Sequence, residues 1–305
     1  MQEPNSNLKV IEPGERSKDP SKTAETMAVI RAMESRRPEA ERICYDPYAI
    51  RFISREVFGF LTNHPAEFRE MAEQMERLVP GAGNSCVART RYFDDVVKMS
   101  VSDGLEQLVI LGAGYDTRAY RIDGLSKLRV FEVDHPATQN IKVEKIKEIF
   151  GSLPDHVTYI PLDLEVQSLG QRLPGSGYDR SRKTLFILEG LLMYLPPGKV
   201  DELLSFILHN SGPGSALVFD YIPRSVVEGT CELEAGRNWQ KGVTDVGEPF
   251  VFGIGEGALE TFLARRGFSL IRNLISEDYK KVYFHGKNEG RNVNSLLLFA
   301  YAAVR

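Results

Sequence analysis

An apolar run that breaks into glycines constrains the fold of this chain more than any other feature. Residues 108–111 are all apolar, and Gly112 and Gly114 follow them, separated by one alanine. Residues 115–118 can then begin a helix. A Cβ atom at either glycine would hold a ligand away from the backbone, so this spacing is typical of a strand followed by a nucleotide-cradling turn. The stretch therefore predicts the first strand of an α/β domain.

Acidic residues follow the next predicted strands in a similar way. Glu132 and Asp134 close a second apolar strand, and Asp134 lies 20 residues after Gly114, the distance at which a second-strand carboxylate meets an adenosine ribose. A third strand runs into Asp163 and a fourth into Glu189. Because the carboxyl ends of parallel strands share one edge of a sheet, these groups predict one adenosine-type ligand site. On these residues alone, a tight turn beside solvated carboxylates stays open as the alternative.

The composition is that of a globular protein and argues against several kinds of partner. With 42% hydrophobic and 26% charged residues, the 305-residue chain can bury a sizeable core. Its formal charge of −4 predicts no binding to nucleic acid or to an anionic membrane. No apolar run reaches the roughly 20 residues of a membrane span, and the polar start lacks an apolar signal core, so we expect a cytoplasmic protein. The 3 cysteines and 5 histidines have no metal-ligand spacing, so no metal is expected.

The order of the predicted elements gives the chain three parts. We expect a flexible leader at 1–21, a helical cap at 22–100, and an α/β domain at 101–305 with an aperiodic insertion at about 222–252 that helps to cover the site. Seven mostly parallel strands are predicted, five in βα units and two that close the sheet as a hairpin. The predicted helices are 23–34, 48–60, 67–78, 87–97, 136–150, 197–208 and 258–266.

Four motifs, in this order, resemble those of the leucine carboxyl methyltransferase family. They span residues 111–118, 131–136, 163–164 and 188–195, and the resemblance covers roughly residues 22–305. The first motif, Gly-Ala-Gly-x-Asp-Thr-Arg, is far more specific than a bare Gly-x-Gly. The resemblance implies an α/β, Rossmann-like class I methyltransferase fold with helices on both faces of the sheet and a helical N-terminal cap. It also implies an O-methyltransferase that uses S-adenosylmethionine.

Carried over residue by residue, the resemblance assigns a role to each motif. It puts the glycines against the methionine portion of the donor, Asp134 at the ribose, and Glu189 on the floor of the pocket. An arginine of the helix before the first strand meets the donor carboxylate, with Arg89 as the best match and Arg91 as its rival. The donor-binding residues implied are therefore Arg89, Gly112, Gly114, Asp134, Asp163 and Leu164 (at the adenine), and Glu189. One branch of the family has a lysine in its leading helix near the donor, and residues 23–30 contain none.

The catalytic requirements depend on the acceptor. A carboxylate acceptor is already ionised at neutral pH and needs no base, which would explain a sequence with no obvious catalytic dyad. A hydroxyl acceptor needs a base, and His135, Glu189 and Asp116 are the candidates. Tyr194 is expected to orient the acceptor, with a core position as the alternative. Arg118 either clamps a substrate carboxylate or pairs with Asp116.

Two other classes of function stay open at this level. An NAD-dependent dehydrogenase would share the glycines and the ribose acid, although it would prefer glycine at Thr117. A non-catalytic adenosine-binding regulator would lack an acceptor cavity, for which Trp239, Tyr221 and Phe252 are candidate walls. A small-molecule acceptor is favoured because the sequence shows no basic or broad apolar docking face. A protein carboxyl terminus stays open as the alternative.

Overall fold

A single seven-stranded sheet forms the centre of the computed structural model, which describes residues 20–305. The strand order is β3-β2-β1-β4-β5-β7-β6, and only β7 runs antiparallel to its neighbours. The seven mostly parallel strands predicted from the sequence are thus confirmed. The strands are β1 (Gln107–Leu111), β2 (Arg129–Asp134), β3 (Val157–Pro161), β4 (Thr184–Leu188), β5 (Ala216–Tyr221), β6 (Phe268–Leu274) and β7 (Leu298–Val304).

The central strands are buried on both faces, which explains why they are continuous apolar runs. Every residue of β1, β4 and β5 is buried. Alternate side chains enter two cores, so Leu108 and Ile110 pack on one side of the sheet and Val109 and Leu111 on the other. Helices cover both faces and hold the strand ends in fixed positions.

The helices agree with the predicted ones in most places. They are α1 (Lys22–Ser35), α2 (Arg55–Asn63), α3 (Pro65–Leu78), α4 (Ala82–Ser102), α5 (Arg118–Arg121), α6 (Pro136–Phe150), α7 (Pro197–His209), α8 (Arg224–Val227), α9 (Glu234–Asp245), α10 (Leu259–Ala264) and α11 (Ser276–Tyr283). The continuous helix predicted at 48–60 is wrong. A short 3-10 turn, Ala49–Phe52, ends at the extended Ile53, and the Ser54 hydroxyl accepts a hydrogen bond from the Val57 amide and so begins α2.

The region at 222–252 is more regular than the sequence indicated. It contains α8 and α9, although the sequence there showed no clear periodicity. The sequence reading also missed α11, between the last two strands. Most of the predicted leader, residues 1–19, lies outside the described residues. No helix within residues 20–305 combines the length and apolar character that a membrane crossing needs.

Helix α1 lies against the turn that follows β1. Arg31 donates a hydrogen bond of 2.6 Å to the Tyr115 carbonyl, and its Nε lies 2.9 Å from the Asp46 carboxylate. Ala28 and Ala32 are buried in a small core that they share with Phe52 and Tyr115. The sequence before the sheet therefore builds a cover over the carboxyl edge of the strands.

Candidate functional site

The turn after β1 has the geometry that its two glycines permit. Gly112 and Gly114 have φ values of 65° and 41°, in the left-handed region that disfavours residues with a Cβ atom. The Gly114 amide donates a hydrogen bond to the Asp134 carboxylate. A Cβ atom on Gly112 would lie 3.0 Å from the Leu191 side chain, and one on Gly114 would lie 3.4 Å from the Ala24 methyl group. The backbone of this turn therefore lies close beneath α1, with no side chain of its own at the two glycines.

The two acids of β2 have different environments. Glu132 is fully buried, and its carboxylate lies 2.7 Å from the Lys142 ammonium, so it is an interior ion pair. Asp134 stands at the strand end, where it accepts hydrogen bonds from the Gly114 and His135 amides. Burial raises the pKa of Asp134, and those two amides oppose the rise. His135 caps α6, so the structure gives it the role of a helix-start residue.

The end of β3 lies beside the same edge. Asp163 is partly exposed, and its carboxylate lies 3.9 Å from the His135 ring. Its Oδ1 accepts a hydrogen bond of 2.9 Å from the Glu165 amide, which forms a turn. Leu164 packs partly against the core on the α7 side of the sheet. The sequence-predicted adenine residues therefore lie near Asp134, with Asp163 accessible to a ligand.

A buried arginine joins the ends of β4 and β5. Arg89 of α4 is 6% exposed and donates 3.0 Å and 2.6 Å hydrogen bonds to Glu189 and Asp220. Asp220 also accepts a 2.6 Å hydrogen bond from the Gly190 amide. The third guanidinium nitrogen, Nη2, donates within residues 20–305 to a weak acceptor, the Met27 sulfur, at 3.4 Å. Its N–H groups can therefore be taken by a stronger acceptor.

The rival Arg91 lies elsewhere. It is exposed on the same helix, and its Nε lies 3.0 Å from Asp95. Of the two arginines considered from the sequence, the structure brings only Arg89 to the strand ends.

A second buried arginine fixes the turn after β1 to the cap. Arg118 is 2% exposed, and it donates to Asp94 at 2.7 Å, to Glu189 at 2.6 Å and to Asp116. Arg121 bonds the same Asp94 at 2.6 Å. Of the two roles considered for Arg118, the structure shows the pairing with Asp116, extended to two further acids.

These ion pairs set the protonation of the candidate bases. Burial is the largest influence on the pKa of Asp116 and would raise it, but the charges of Arg118, Lys142 and Arg121 and the Arg118 amide together outweigh burial and hold this pKa at about 2. Burial would likewise raise the pKa of Glu189, but the charges of Arg118 and Arg89 keep the pKa of this carboxyl below its ordinary value. Both acids are therefore ionised at neutral pH and engaged by arginine, which makes them poor proton acceptors.

A group of side chains next to Arg89 and Asp220 joins α1 to the region after β5. Tyr194 is half-buried, and its ring lies 5.4 Å from that of Phe250, which packs edge-on against Trp239 at 5.5 Å. The Thr23 hydroxyl donates a hydrogen bond to the Glu248 carboxylate. Thr23 also hydrogen-bonds Tyr194, whose pKa is raised by burial first and then by the Glu248 charge. We call Thr23, Tyr194, Glu248, Phe250 and Trp239 the acceptor-side cluster.

Two of the predicted cavity walls lie away from this cluster. The Tyr221 hydroxyl bonds Asn273, and its ring packs on Phe219 in the core on the α7 side. Phe252 packs on Phe262. Of the three aromatic residues considered from the sequence, Trp239 alone belongs to the acceptor-side cluster.

The sequence analysis missed several residues of the site, namely Asp220, Asp94, Thr23, Glu248 and Phe250. Asp220 had a usable signal, because it lies near the carboxyl end of the fifth apolar strand, and Glu189 directly follows the fourth. Asp94, Thr23 and Glu248 had none, since their partners are remote in sequence. No group of three or more metal-ligating side chains occurs in the part of the chain that the structure describes.

Comparisons with known proteins match this chain to methyltransferases. Residues 24–208 match the sequence model of the leucine carboxyl methyltransferase family. The Bacillus subtilis protein named "Putative S-adenosyl-L-methionine-dependent methyltransferase YktD" is 28% identical over 254 residues, which cover 83% of this chain and 82% of that protein. A relative from Mycobacterium sp. strain JLS, named as an S-adenosyl-L-methionine-dependent methyltransferase in the same terms, is 35% identical over 215 residues and 67% of each chain.

Two crystal structures share the fold. One, titled as a putative methyltransferase from Thermobifida fusca YX, has a TM-score of 0.60 at 15% identity and covers 96% of this chain and 98% of its own. A DUF574 family protein from Streptomyces avermitilis has a TM-score of 0.60 at 15% identity, with 91% and 97% covered. At this identity the likeness supports the class I methyltransferase fold and nothing finer.

Proposed function

The chain belongs to the leucine carboxyl methyltransferase family and is an S-adenosylmethionine-dependent methyltransferase, and from this premise we propose that it methylates an oxygen of a small molecule. Because the chain belongs to this family, the two alternatives considered from the sequence, an NAD-dependent dehydrogenase and a non-catalytic adenosine-binding regulator, are set aside. The acceptor oxygen belongs to a carboxylate or to a hydroxyl, the two classes that methyl transfer to oxygen admits.

The strand-end residues fit this methyl donor. Three guanidiniums and four carboxylates meet at the edge, the carboxylates being Asp94, Asp116, Glu189 and Asp220. The surplus negative charge complements a donor that carries a sulfonium, an ammonium and one carboxylate. Arg89 would bind the donor carboxylate through its Nη2, and the glycine turn leaves room for the methionine backbone.

The adenosine end would lie over β2 and β3. Asp134 would accept hydrogen bonds from the ribose hydroxyls, as a second-strand acid does in comparable sheets. Asp163 and Leu164 would face the adenine, one as an acceptor and the other as an apolar contact. The observation that carries the proposal is the Gly114 amide fixed on Asp134 at the strand edge, where the glycine turn and the acid form one unit.

When bound, the donor supplies an electrophilic methyl group and a sulfur leaving group. The protein's main contribution is then to align the acceptor oxygen with that methyl group, an effect worth up to roughly 7–11 kcal/mol in ideal cases. Tyr194 would do this, because it lies in the turn that follows β4 and its hydroxyl responds to the charges of Arg89 and Asp220.

Isothermal titration tests the donor assignment. We expect S-adenosylmethionine and S-adenosylhomocysteine to bind with micromolar affinity and NAD not to bind. Binding of NAD, or of neither sulfur compound, contradicts the proposed site.

Transfer of a radiolabelled methyl group to an extract of small metabolites, rather than to the protein fraction, then separates a small-molecule acceptor from a protein carboxyl terminus.

A further inference from the structure

The acceptor-side cluster contains a carboxylate that the ion pairs of the site do not use. Asp94, Asp116, Glu189 and Asp220 each lie within ion-pair distance of an arginine. Glu248, in contrast, forms no ion pair with a basic side chain among residues 20–305, and its carboxylate is held by the Thr23 hydroxyl. It is only partly buried, so a second molecule can reach it.

The direction of the donor places this carboxylate on the acceptor side. The sheet order puts β3 and β2 on one side of β1, and β4 and β5 on the other. If the ribose lies over β2 at Asp134, the methionine portion extends over β1 toward β4. Arg89 lies at that end, where it donates to Glu189. The acceptor then approaches beside Arg89, and Glu248 lies there because Thr23, which holds it, is one helical turn before Met27, whose sulfur contacts Arg89.

The surroundings of Glu248 favour an aromatic hydroxyl over a carboxylate. Its negative charge repels an anionic acceptor, while the same charge attracts a hydroxyl proton. The partly buried rings of Tyr194 and Trp239 both pack on the buried Phe250, and they are the aromatic surfaces that a flat molecule could meet here. A phenol is the hydroxyl that a carboxylate can deprotonate most readily, because phenols are far more acidic than alkanols.

Resting on the proposed function, we propose that Glu248 is the catalytic base for methylation of a phenolic hydroxyl on an aromatic small molecule. The Glu248 carboxylate accepts the hydroxyl proton as the acceptor oxygen forms its bond to the methyl carbon. The carbon–sulfur bond breaks and its electron pair stays on sulfur. The products are a methyl ether, S-adenosylhomocysteine and a proton that passes from Glu248 to solvent.

Thr23 and Tyr194 have positioning roles in this arrangement. The Thr23 hydroxyl fixes the carboxylate from the first turn of α1, and the Met193 carbonyl accepts a 2.8 Å hydrogen bond from the Val251 amide, which fixes the chain that carries Glu248. The base is therefore assembled only when α1 lies over the site.

An aromatic probe with both kinds of oxygen tests the proposal directly. Para-hydroxybenzoate and the larger 6-hydroxy-2-naphthoate each give an alkali-stable ether or an alkali-labile ester, and mass spectrometry separates the products. We expect the ether from at least one probe. An ester as the main product, or no product from either probe while S-adenosylmethionine binds, overturns the inference; failure of S-adenosylmethionine to bind instead contradicts the proposed function.

Matched carboxylate variants identify the base. Glu248→Gln is expected to lower kcat for ether formation by about 10²-fold or more, the range of general-base effects. Its affinity for S-adenosylmethionine and for the probe in the presence of S-adenosylhomocysteine should stay within about threefold of wild type. The control is Glu256→Gln, because Glu256 also accepts a hydrogen bond from a hydroxyl, that of Ser225, yet is exposed outside the cluster. Equal kcat in the two variants, or a loss of donor binding in Glu248→Gln, overturns the assignment.

Discussion

Among single residues, Asp134 gives the most direct test of the proposed donor site, because one carboxylate fixes the glycine turn and is proposed to bind the ribose. Asp134→Ala removes the acceptor of the Gly114 amide as well as the proposed ribose contact. We expect S-adenosylmethionine binding to fall below detection in isothermal titration, while the free energy of unfolding drops by only about 1–3 kcal/mol. Asp155→Ala, at an exposed position, is the control. Donor affinity equal to wild type would show that Asp134 does not hold the ribose.

The hydroxyl of Tyr194 is predicted to act in turnover more than in donor binding. Tyr194→Phe keeps the ring against Phe250 and removes only the hydroxyl. We expect kcat for probe methylation to fall while the dissociation constant of S-adenosylmethionine stays the same. Tyr221→Phe is the matched control, because its hydroxyl bonds Asn273 in another part of the molecule. Equal losses of turnover and of donor affinity would assign Tyr194 a purely structural role.

The site residues that were predicted from the sequence and those that were missed are brought to the site in different ways. Asp134, Asp163 and Glu189 lie at or just beyond the carboxyl ends of apolar strands, so the topology of a parallel sheet brings them to one edge. Glu248 meets Thr23 across 225 residues of chain, and no local pattern encodes that contact. The donor half of the candidate site was therefore predictable, and the acceptor half needed the folded chain.

At the scale of elements, α1 controls how the strand edge is covered. Ala24 lies over Gly114, and a longer side chain there would enter the space above the glycine turn. Ala24→Leu is predicted to weaken S-adenosylmethionine binding at least about tenfold, measured by titration, with the far-ultraviolet circular dichroism unchanged. Thr26→Leu adds a similar side chain at an exposed position of the same helix and should bind the donor normally. Equal donor affinities in the two variants would place the donor away from α1.

The elements that the sequence analysis misjudged have separate physical causes. The helix predicted at 48–60 breaks because Ser54 caps a new helix, and a capping hydroxyl competes with helix continuation. Helix α9 has few apolar residues, and two of them, Trp239 and Val243, pack on the core. Strands buried on both faces have no such ambiguity, and all of the predicted strands exist in the predicted order.

In the whole molecule, one buried ion-pair network connects the cap to the sheet. Asp94 of α4 holds Arg118 and Arg121 after β1, while Arg89 of the same helix holds Glu189 after β4. Removing one member of such a network leaves a partner charge buried and unpaired, which is costly. Stability therefore depends on the charged groups that are also proposed to surround the donor.

This network predicts that the free energy of unfolding falls at acid pH, as Asp116 becomes protonated. Its pKa falls from the ordinary 3.8 to about 2 in the folded protein, so the unfolded chain binds more protons between these values. The contribution of the folded Asp116 is complete above about pH 4 and is lost as the pH falls through about 2. It amounts to about 2 kcal/mol. In urea unfolding measured from pH 6 to pH 2, the wild-type free energy should fall more steeply than that of Asp116→Asn, and the gap between the two should narrow by this amount. Asp155→Asn, at an exposed position, should keep the wild-type slope. Parallel curves for wild type and Asp116→Asn would mean that Arg118 does not hold this carboxylate ionised in the folded state.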